Sequence, residues 1–331
     1  MSINSNFNIE LKEDDEKFNT NYIVGEIKID KDNLNKRIIN SYENAKIEHK
    51  SYWNWSTIKA KENEDEIKKC EIFINNKKII FNYYYKFPNE GIYTIKYIFK
   101  ELIQSTNYMF FECDSLISLD FSNFNSQNVT NITAMFSYCN SLLSLNITNF
   151  NTKNVKDLRL LFYQCKSLIS LDLSNFDTQN IVDMASMFND CNKLQSLDLS
   201  NWNTKNVKYL QSMFCDCNSL ISLDLSNFNT QNTTNMEFMF YKCESLLSLD
   251  LSNFDTQNVV DMGFMFYNCI SIISLDLSNF GTKNVIDMGY MFYGCKSLVS
   301  LNLWIINNQN EIGKNYAFDD CNSLIRHFLN N

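Results

Sequence analysis

Cys165 to Asp190 reads CKSLISLDLSNFDTQNIVDMASMFND, and this unit recurs along about two thirds of the 331-residue chain. Equivalent cysteines are always 26 residues apart, and a phenylalanine stands three residues before each one. An uninterrupted period of this length is the signature of a repeat architecture. Repeats 1 to 9 are numbered by these cysteines, which are Cys113, Cys139, Cys165, Cys191, Cys217, Cys243, Cys269, Cys295 and Cys321. A negative position precedes the cysteine of its repeat by that number of residues, and a positive position follows it.

Each unit contains two hydrophobic periods. Leu171 and Leu173 alternate with Ser170 and Asp172, and this period of two predicts a short strand with one buried face. The apolar residues that follow recur at i, i+3, i+6, i+7 and i+10, which predicts an amphipathic helix of two to three turns. Asn180, like its equivalent in every internal repeat, is the predicted N-cap of that helix. The apolar residues of the predicted helix are Ile181, Met184, Met187, Phe188 and Cys191.

A single unit of this size cannot bury enough apolar surface to offset the entropy lost when its backbone is ordered. Stacking buries both flat faces of each inner unit and pairs its strand on two sides. The predicted fold class is therefore an α/β solenoid, a leucine-rich-repeat-like, right-handed stack of coils with one parallel β-sheet and short helices. Strands about 4.8 Å apart would place nine coils along roughly 40 Å.

The units resemble a known family, the bacterial surface protein 26-residue repeat, which is related to the BspA-type leucine-rich repeats of bacteria and many protists. The likeness rests on an LxxLxL motif that begins at Leu168, on MFxxC ending at Cys191, and on AFDDC at residues 317–321, which is similar to the AFxxC of the BspA type. It extends from Thr106 to the C-terminus and implies a leucine-rich-repeat solenoid used for protein binding or adhesion. The chain departs from the family in having Ser-Asn-Phe at residues 174–176 in place of N-x-L, and in showing no signal peptide.

The segment before the repeats is more charged and contains the only proline. We expect a disordered tail over residues 1–18, a small β-rich, sandwich-like capping domain over 19–104, and nine leucine-rich-type repeats over 105–331. A cap is expected because an open end would expose a strand edge and a slab of core. Residues 89–95 resemble the tyrosine corner of immunoglobulin-like sandwiches. Strands are predicted over residues 22–29, 71–74, 78–85 and 92–99, with a hairpin turn at 75–76.

The cysteine column fills an apolar slot of the predicted helix, where free cysteine behaves as a small buried hydrophobe. Stacked equivalents about 5 Å apart would also satisfy disulfide geometry, but we expect reduced thiols and a reducing compartment. The sequence has no run of about 18 apolar residues and no signal-peptide pattern. The expected location is the cytoplasm, and the alternative is the cell surface, reached by an unrecognised route.

The sequence shows no catalytic motif. It has no glycine-rich phosphate loop, HExxH, GxSxG or nucleophile–base set, and only 7 glycines. Cys215 and Cys217 form the only close cysteine pair, and His49 and His327 are the only histidines, so no zinc site is expected. We predict neither an enzyme nor a bound cofactor or metal.

The outward face of the predicted strands is the first candidate binding surface. Position +5 is serine in repeats 1 to 8, and position +7 is aspartate in repeats 3 to 7. This pattern is compatible with a solvated face that prevents self-association, or with an acidic groove for a basic partner or divalent cations. The candidate residues are Ser170, Asp172, Ser196, Asp198, Ser222, Asp224, Ser248, Asp250, Ser274 and Asp276.

The excess negative charge lies on the repeats. Residues 1–104 hold 17 basic and 17 acidic side chains, which leaves 12 basic and 21 acidic ones, a net charge of −9, for the remainder. This balance disfavours nucleic acid and anionic membranes as partners. The predicted partner is a protein, basic where it meets the acidic face, and no membrane insertion is expected.

The outward positions of the predicted helix are a second candidate surface, because they vary between repeats and carry aromatic residues, which are enriched at interface hot spots. The alternative interpretation is that these rings cover neighbouring coils. They include Tyr138, Tyr163, Tyr241, Tyr267 and Tyr293.

The sequence therefore predicts a non-enzymatic protein–protein interaction or adhesion-type scaffold, which binds through the acidic sheet face or the aromatic-bearing helix face. The alternative is a structural spacer or a divalent-cation-binding rod that uses the aspartates. A third possibility is ice or surface binding by a regular threonine column, Thr152, Thr178, Thr204 and Thr230.

Overall fold

The computed structural model describes residues 21–49, 62–303 and 316–324. The tail predicted over residues 1–18 lies outside these ranges. The elements ahead of the repeats are β1 (Tyr22–Ile29), β2 (Asn35–Arg37), α1 (Tyr42–Glu48), α2 (Glu64–Lys68), β3 (Glu71–Ile74), β4 (Lys77–Ile79), β5 (Tyr84–Lys86) and β6 (Gly91–Ile98). The strands of the repeats are β7 (Leu116–Asp120), β8 (Ser144–Asn146), β9 (Ser196–Leu197), β10 (Ser222–Leu223), β11 (Ser274–Leu277) and β12 (Ser300–Leu303).

Strand β1 joins the N-terminal segment to the repeats. It pairs antiparallel with β6 on one side and with β7 of repeat 1 on the other, in a sheet of order β4-β3-β6-β1-β7-β8. Gly25 lies opposite Leu119, and a Cβ at Gly25 would be only 2.8 Å from both Leu119 Cδ2 and the Ser118 carbonyl oxygen. Glycine is therefore needed where β1 and β7 approach each other. Strand β1 also covers the edge of β7, the strand of the first repeat, by pairing with it.

The strands predicted ahead of the repeats are present, with one correction. The run predicted as one strand over residues 78–85 contains two strands, β4 and β5, which belong to different sheets. Asn75 and Asn76 have φ of 46° and 63° in the turn between β3 and β4, as a two-residue hairpin turn requires. The Tyr93 hydroxyl donates to the Asn89 carbonyl at 3.0 Å, the hydrogen bond of a tyrosine corner. The sandwich-like arrangement itself stays a prediction.

Strands pair in parallel between repeats 1 and 2, 4 and 5, and 7 and 8, and each paired residue lies opposite the one 26 positions later. The described residues of repeats 3 and 6 form no strand. Ser118 pairs with Ser144, and Ser274 pairs with Ser300. These strands are short, so the single parallel sheet expected from the sequence is a series of short parallel pairs within the described residues.

The prediction of an amphipathic helix in each repeat is wrong. Residues 105–303 contain no helix, and the segment around Met-Phe is a series of tight turns. The non-glycine residues at positions −5 and −1 have φ between 53° and 63°, in the left-handed region that interrupts an α-helix.

Hydrogen bonding between repeats explains this correction. In repeat 2 the amides of Ala134, Phe136 and Tyr138 donate to carbonyls 25 residues ahead in repeat 3, whereas the amides between them donate to carbonyls three residues back. An α-helix would keep all of these bonds within one segment. Three-residue turns and helical turns both place apolar residues at i and i+3. The spacing of the apolar residues therefore could not distinguish a series of turns from a helix.

The N-cap prediction for Asn180 is wrong for the same reason, since residues 105–303 contain no helix to cap, and this asparagine links repeats instead. Asn180 Nδ2 donates to the Lys153 carbonyl of the preceding repeat at 2.9 Å, and its equivalents in repeats 3 to 8 do the same. The threonine column is buried. Thr178 Oγ1, for example, donates to the Asn203 carbonyl of the next repeat at 3.2 Å. The threonines therefore offer no ice-binding surface, and that third possibility is wrong.

Two columns fill the centre of the stack. The phenylalanines at position −3 of the nine repeats are stacked, with neighbouring ring centroids 5.4 to 6.1 Å apart. Each cysteine after the first is buried, and its Sγ donates to the carbonyl of the position −3 phenylalanine in the preceding repeat at 2.9 to 3.2 Å. The chain is thus a repeat array built mostly of strands and turns, with few helices.

Candidate functional site

The ten residues predicted from the sequence lie together on one exposed surface. The serines at position +5 and the aspartates at position +7 of repeats 3 to 7 are all exposed, and they alternate with buried leucines. The structure therefore brings them together as two parallel columns. We call the five aspartates the aspartate ladder: Asp172, Asp198, Asp224, Asp250 and Asp276.

Each carboxylate of the aspartate ladder is oriented by the turn that follows it. Asp224 Oδ1 accepts the amide N–H of Ser226 at 2.9 Å, and the other four aspartates accept the equivalent bond. In repeats 3 to 6 the serine hydroxyl and then the serine amide lower the pKa of the aspartate. For Asp276 the amide of Ser278 is the larger cause of its lowered pKa. These carboxylates are therefore ionised at neutral pH.

An exposed apolar column runs beside the serines, and it was not found from the sequence. Position +4 is aliphatic in every repeat except repeat 4, which has Gln195, and in six of these repeats the residue is 40 to 54% exposed. From Ile221 to Val299 the column is continuous along the backbone, because each +4 amide donates to the carbonyl of the +4 residue one repeat earlier. We call it the apolar stripe: Leu143, Ile169, Ile221, Leu247, Ile273 and Val299.

The apolar stripe was missed because position +4 does not follow the strand alternation. Leu168 is buried, whereas both Ile169 and Ser170 are exposed, so two successive side chains face outward. The signal that could have found it is the aliphatic residue that recurs between the leucine and the serine of S-L-x-S. Together, the apolar stripe, the serine column and the aspartate ladder form the sheet face.

A second surface carries two stacked columns of rings. At position −5 of repeats 6 to 9, neighbouring ring centroids are 4.8, 4.9 and 5.1 Å apart, and at position −2 of repeats 6 to 8 they are 4.8 and 4.9 Å apart. The rings stand on turns rather than on the predicted helix. We call this the aromatic face: Phe238, Phe264, Tyr290 and Tyr316 at position −5, and Tyr241, Tyr267 and Tyr293 at position −2.

In repeat 1 the same two positions are covered by helix α1. Tyr108 and Phe111 occupy positions −5 and −2 and are buried. The Tyr42 ring lies 5.5 Å from the Tyr108 ring, and the His49 ring lies 5.6 Å from the Phe111 ring. Ala45 completes the buried cluster under α1.

Position −8 forms a column beside the aromatic face, which is aspartate in repeats 3, 4, 7 and 8 and Tyr209 or Asn235 in the two repeats between them. Its residues form parallel bridges from repeat 3 to repeat 8. Arg159 pairs with Asp157 at 2.6 Å in its own repeat and with Asp183 at 3.2 Å in the next. Burial, followed by repulsion from Asp157, raises the pKa of Asp183 to about 7. The sequence reasoning did not single out this column.

Glu48, His49 and Glu112 are the one group of potential metal ligands among the described residues, with ligand atoms within 4.8 Å of one another. Arg37, only 4% exposed, is hydrogen-bonded to Glu48 and lies 3.7 Å from Glu112. His49 Nε2 is 3.0 Å from Glu112 Oε1. The guanidinium already supplies the positive charge between the carboxylates, so this cluster is best described as ion pairs that hold α1 and β2 against repeat 1.

The cysteine thiols of the repeats are protonated and buried away from solvent. Burial raises the pKa of the column cysteines, to about 12 for Cys269 and about 11 for Cys321 at the end of the array. All eleven cysteines are unpaired and buried. A protonated, buried thiol is a poor nucleophile, so the column is a packing element rather than a reactive site.

The family follows from the repeats. Residues 90–171, 142–248 and 218–330 each match the family model described as Mycoplasma protein of unknown function, DUF285. The chain belongs to this family. The three overlapping matches together extend over residues 90–330, so the DUF285 region begins with β6, ahead of the first repeat strand. No curated protein and no solved structure matches the chain. None of the helices in the described part of this DUF285 protein is long and apolar enough to cross a membrane.

Proposed function

We propose that this DUF285 protein is a non-enzymatic scaffold that binds another protein through its sheet face. The observation that carries this proposal is the apolar stripe, whose side chains are about half exposed in six repeats, next to five ionised aspartates.

The two columns together favour an amphipathic, basic partner. Contiguous exposed apolar surface in a soluble protein is typical of an interaction site. In each repeat the ladder aspartate comes three residues after position +4, and the repeats carry the whole net charge of −9. A partner that places apolar side chains on the stripe and Lys or Arg beside the ladder satisfies both columns, and opposite charge also accelerates its approach.

For the architecture we propose a right-handed solenoid of the leucine-rich, BspA-like type. Support comes from the parallel 26-residue register and from the LxxLxL and MFxxC motifs. Right-handed crossovers are the rule where parallel strands are connected. The buried thiol column supports a reducing compartment such as the cytoplasm, with the cell surface as the alternative.

The spacer or cation-binding alternative has less support. One oxygen of each ladder carboxylate already accepts a hydrogen bond from its own turn, which leaves fewer oxygens for a cation that takes six to eight ligands. Calorimetric titration with calcium separates the two proposals, because heat and a raised Tm are expected only for the cation-binding rod.

The test compares partner capture by two sheet-face variants. Each variant introduces a residue that another repeat of the chain already has at the same position. Ile221→Gln with Leu247→Gln copies Gln195, and Asp224→Asn with Asp250→Asn copies Asn146 at position +7 of repeat 2. Proteins captured from the native cell by the wild-type chain are quantified by mass spectrometry, with Tm as the folding control. We expect both variants to lose the wild-type partner. Capture that is unchanged in both variants rules out the sheet face as the binding surface.

A further inference from the structure

The chain shows how its aromatic positions can be covered. In repeat 1, α1 packs on Tyr108 and Phe111 through Tyr42, Ala45 and His49. Tyr42 and Ala45 of the helix and its C-cap residue His49 are at i, i+3 and i+7, the spacing of one helix face. The position −5 and −2 surface is therefore suited to a short amphipathic helix.

Repeats 6 to 9 present the longest run of this surface. Its rings in repeats 6 to 8 are partly exposed, and Tyr316 in repeat 9 is 57% exposed. The ring centroids at position −5 are 4.8 to 5.1 Å apart, and this spacing is close to the 5.4 Å pitch of an α-helix. A helix that lies along the array would place about one turn on each repeat.

The flank of the aromatic face is acidic and lacks the cation found earlier in the array. In repeat 3, Arg159 at position −6 lies between Asp157 and Asp183. In repeats 7 and 8, position −6 is Gly263 and Gly289.

Without that arginine, a carboxylate cluster lies beside the rings. A Cβ at Gly263 would be 3.3 Å from Asp261 Oδ1 and 3.7 Å from Asp287 Cγ, so both carboxylates lie at this position. Burial, followed by repulsion from these two carboxylates, raises the pKa of Glu237. Within the described ranges none of these three carboxylates is in an ion pair.

We propose that the aromatic face of repeats 6 to 9 binds a basic amphipathic helix of another protein. The apolar side of the helix packs on the ring columns, as α1 does on repeat 1. An Arg or Lys of the helix pairs with Glu237, Asp261 and Asp287, as Arg159 does with its two aspartates. This surface is separate from the sheet face and does not depend on it.

Charge argues against a second copy of this chain as the occupant. The repeats carry a net charge of −9, and among the described helices α1 already covers repeat 1 while α2 has three acidic residues in its first turn. Like charges across an interface oppose association.

The test uses three synthetic helices of about 20 residues, longer than the roughly 12 to 15 residues below which an isolated helix is marginal in water. The first carries Tyr, Ala and His at the α1 spacing and Arg on its other positions. The second replaces Arg by Glu, and the third keeps Arg but has a central proline that breaks the helix. Fluorescence anisotropy measures the binding of each peptide to the full chain. We expect the first peptide to bind at least about tenfold more tightly than the other two.

Variants with an internal precedent locate the site. Phe264→Ser with Tyr290→Ser copies Ser186 and Ser212, which hold position −5 with the same positive φ, so the fold is expected to tolerate it. Gly263→Arg supplies the missing guanidinium from within the chain. Each is expected to weaken binding of the basic helix by about tenfold, as loss of a hot-spot anchor does.

Leu247→Gln on the sheet face is the matched control, and it should leave peptide binding unchanged. The proposal is overturned if no peptide binds, if the acidic or proline-containing peptide binds equally well, or if the Phe264→Ser, Tyr290→Ser double variant binds as the wild type does. Size-exclusion chromatography adds one further outcome: a wild-type dimer that this double variant converts to a monomer would identify a second copy as the occupant and overturn the proposal.

Discussion

Gly281→Asn should stabilise the protein, because Gly281 departs from its own column. At position −14 of repeats 2 to 7 an Asn or Asp Oδ1 accepts the amide N–H two residues later, at 2.9 to 3.2 Å. In repeat 8 glycine provides no such acceptor for Lys283. The substitution restores the side chain that the neighbouring repeats already accommodate.

The expected gain is about 1 kcal/mol. Replacing a glycine whose backbone suits other residues contributes roughly 0.4 to 1 kcal/mol through the unfolded state, and an exposed hydrogen bond adds about 0.5 kcal/mol. A Cβ at Gly281 would be 3.3 Å from Gln257 Cγ, and the exposed Gln257 side chain can move away by adopting another rotamer. The net effect on Tm should be about 1 to 2 °C, because the shift for a given free energy decreases with chain length.

Gly281→Ala is the matched control, because it gains the backbone entropy without the hydrogen bond. Thermal and urea denaturation, followed by circular dichroism, should rank Gly281→Asn above Gly281→Ala and both above the wild type. If the two variants are equally stable, the side-chain bond contributes nothing. If Gly281→Asn is less stable than the wild type, the assumption that the columns are interchangeable between repeats is wrong.

Three further substitutions test other contacts. Gly25→Ala should destabilise the fold by about 1 to 3 kcal/mol, since its Cβ would clash with Leu119 and the carbonyl of Ser118; an unchanged urea midpoint would contradict the close approach of β1 and β7. Because the folded pKa of Asp183 is raised to about 7, its stabilising effect is complete below pH 4 and is lost as the pH rises through 7. Asp183→Asn should remove this loss in a Tm-against-pH series, and a series identical to that of the wild type would refute the raised pKa. Cys217→Ala should cost about 1 to 2 kcal/mol through a small cavity and a lost S–H···O bond, and chemical denaturation that shows no loss would mean that the thiol column does not stabilise the array.

The repeat register could be predicted from the sequence because every column is marked by one residue type. The cysteines alone set the 26-residue interval, and Leu171 and Leu173 set the inward face of the strand. Burial follows directly from such patterns, since apolar side chains must leave water. The acidic part of the sheet face could be predicted for the same reason, because Asp172 must be the outward neighbour of two buried leucines.

The turns could not be predicted, because their cause lies in the neighbouring repeat. The amide of Phe136 donates to Leu161 in the next repeat, and no pattern within one unit reports on such a bond. Positive φ at Phe238 and Tyr290 is also uncommon for aromatic residues, which favour other backbone conformations. The apolar stripe was missed for a related reason, since a turn at residues 166–167 precedes Ile169 and leaves it exposed beside Ser170.

The hydrogen bonds between repeats have a consequence for how such genes can change in length. Donors at equivalent positions always meet acceptors offset by the same number of residues, as with the bonds from Asn180 to Lys153 and from Cys217 to Phe188. After excision or duplication of one whole 26-residue unit, each hydrogen-bond donor would therefore still face an acceptor at the equivalent position of the neighbouring repeat, and every column would stay intact. A deletion of any other length would displace all the columns beyond it at once, so evolution of this chain by insertion and deletion is restricted to integral steps of the period.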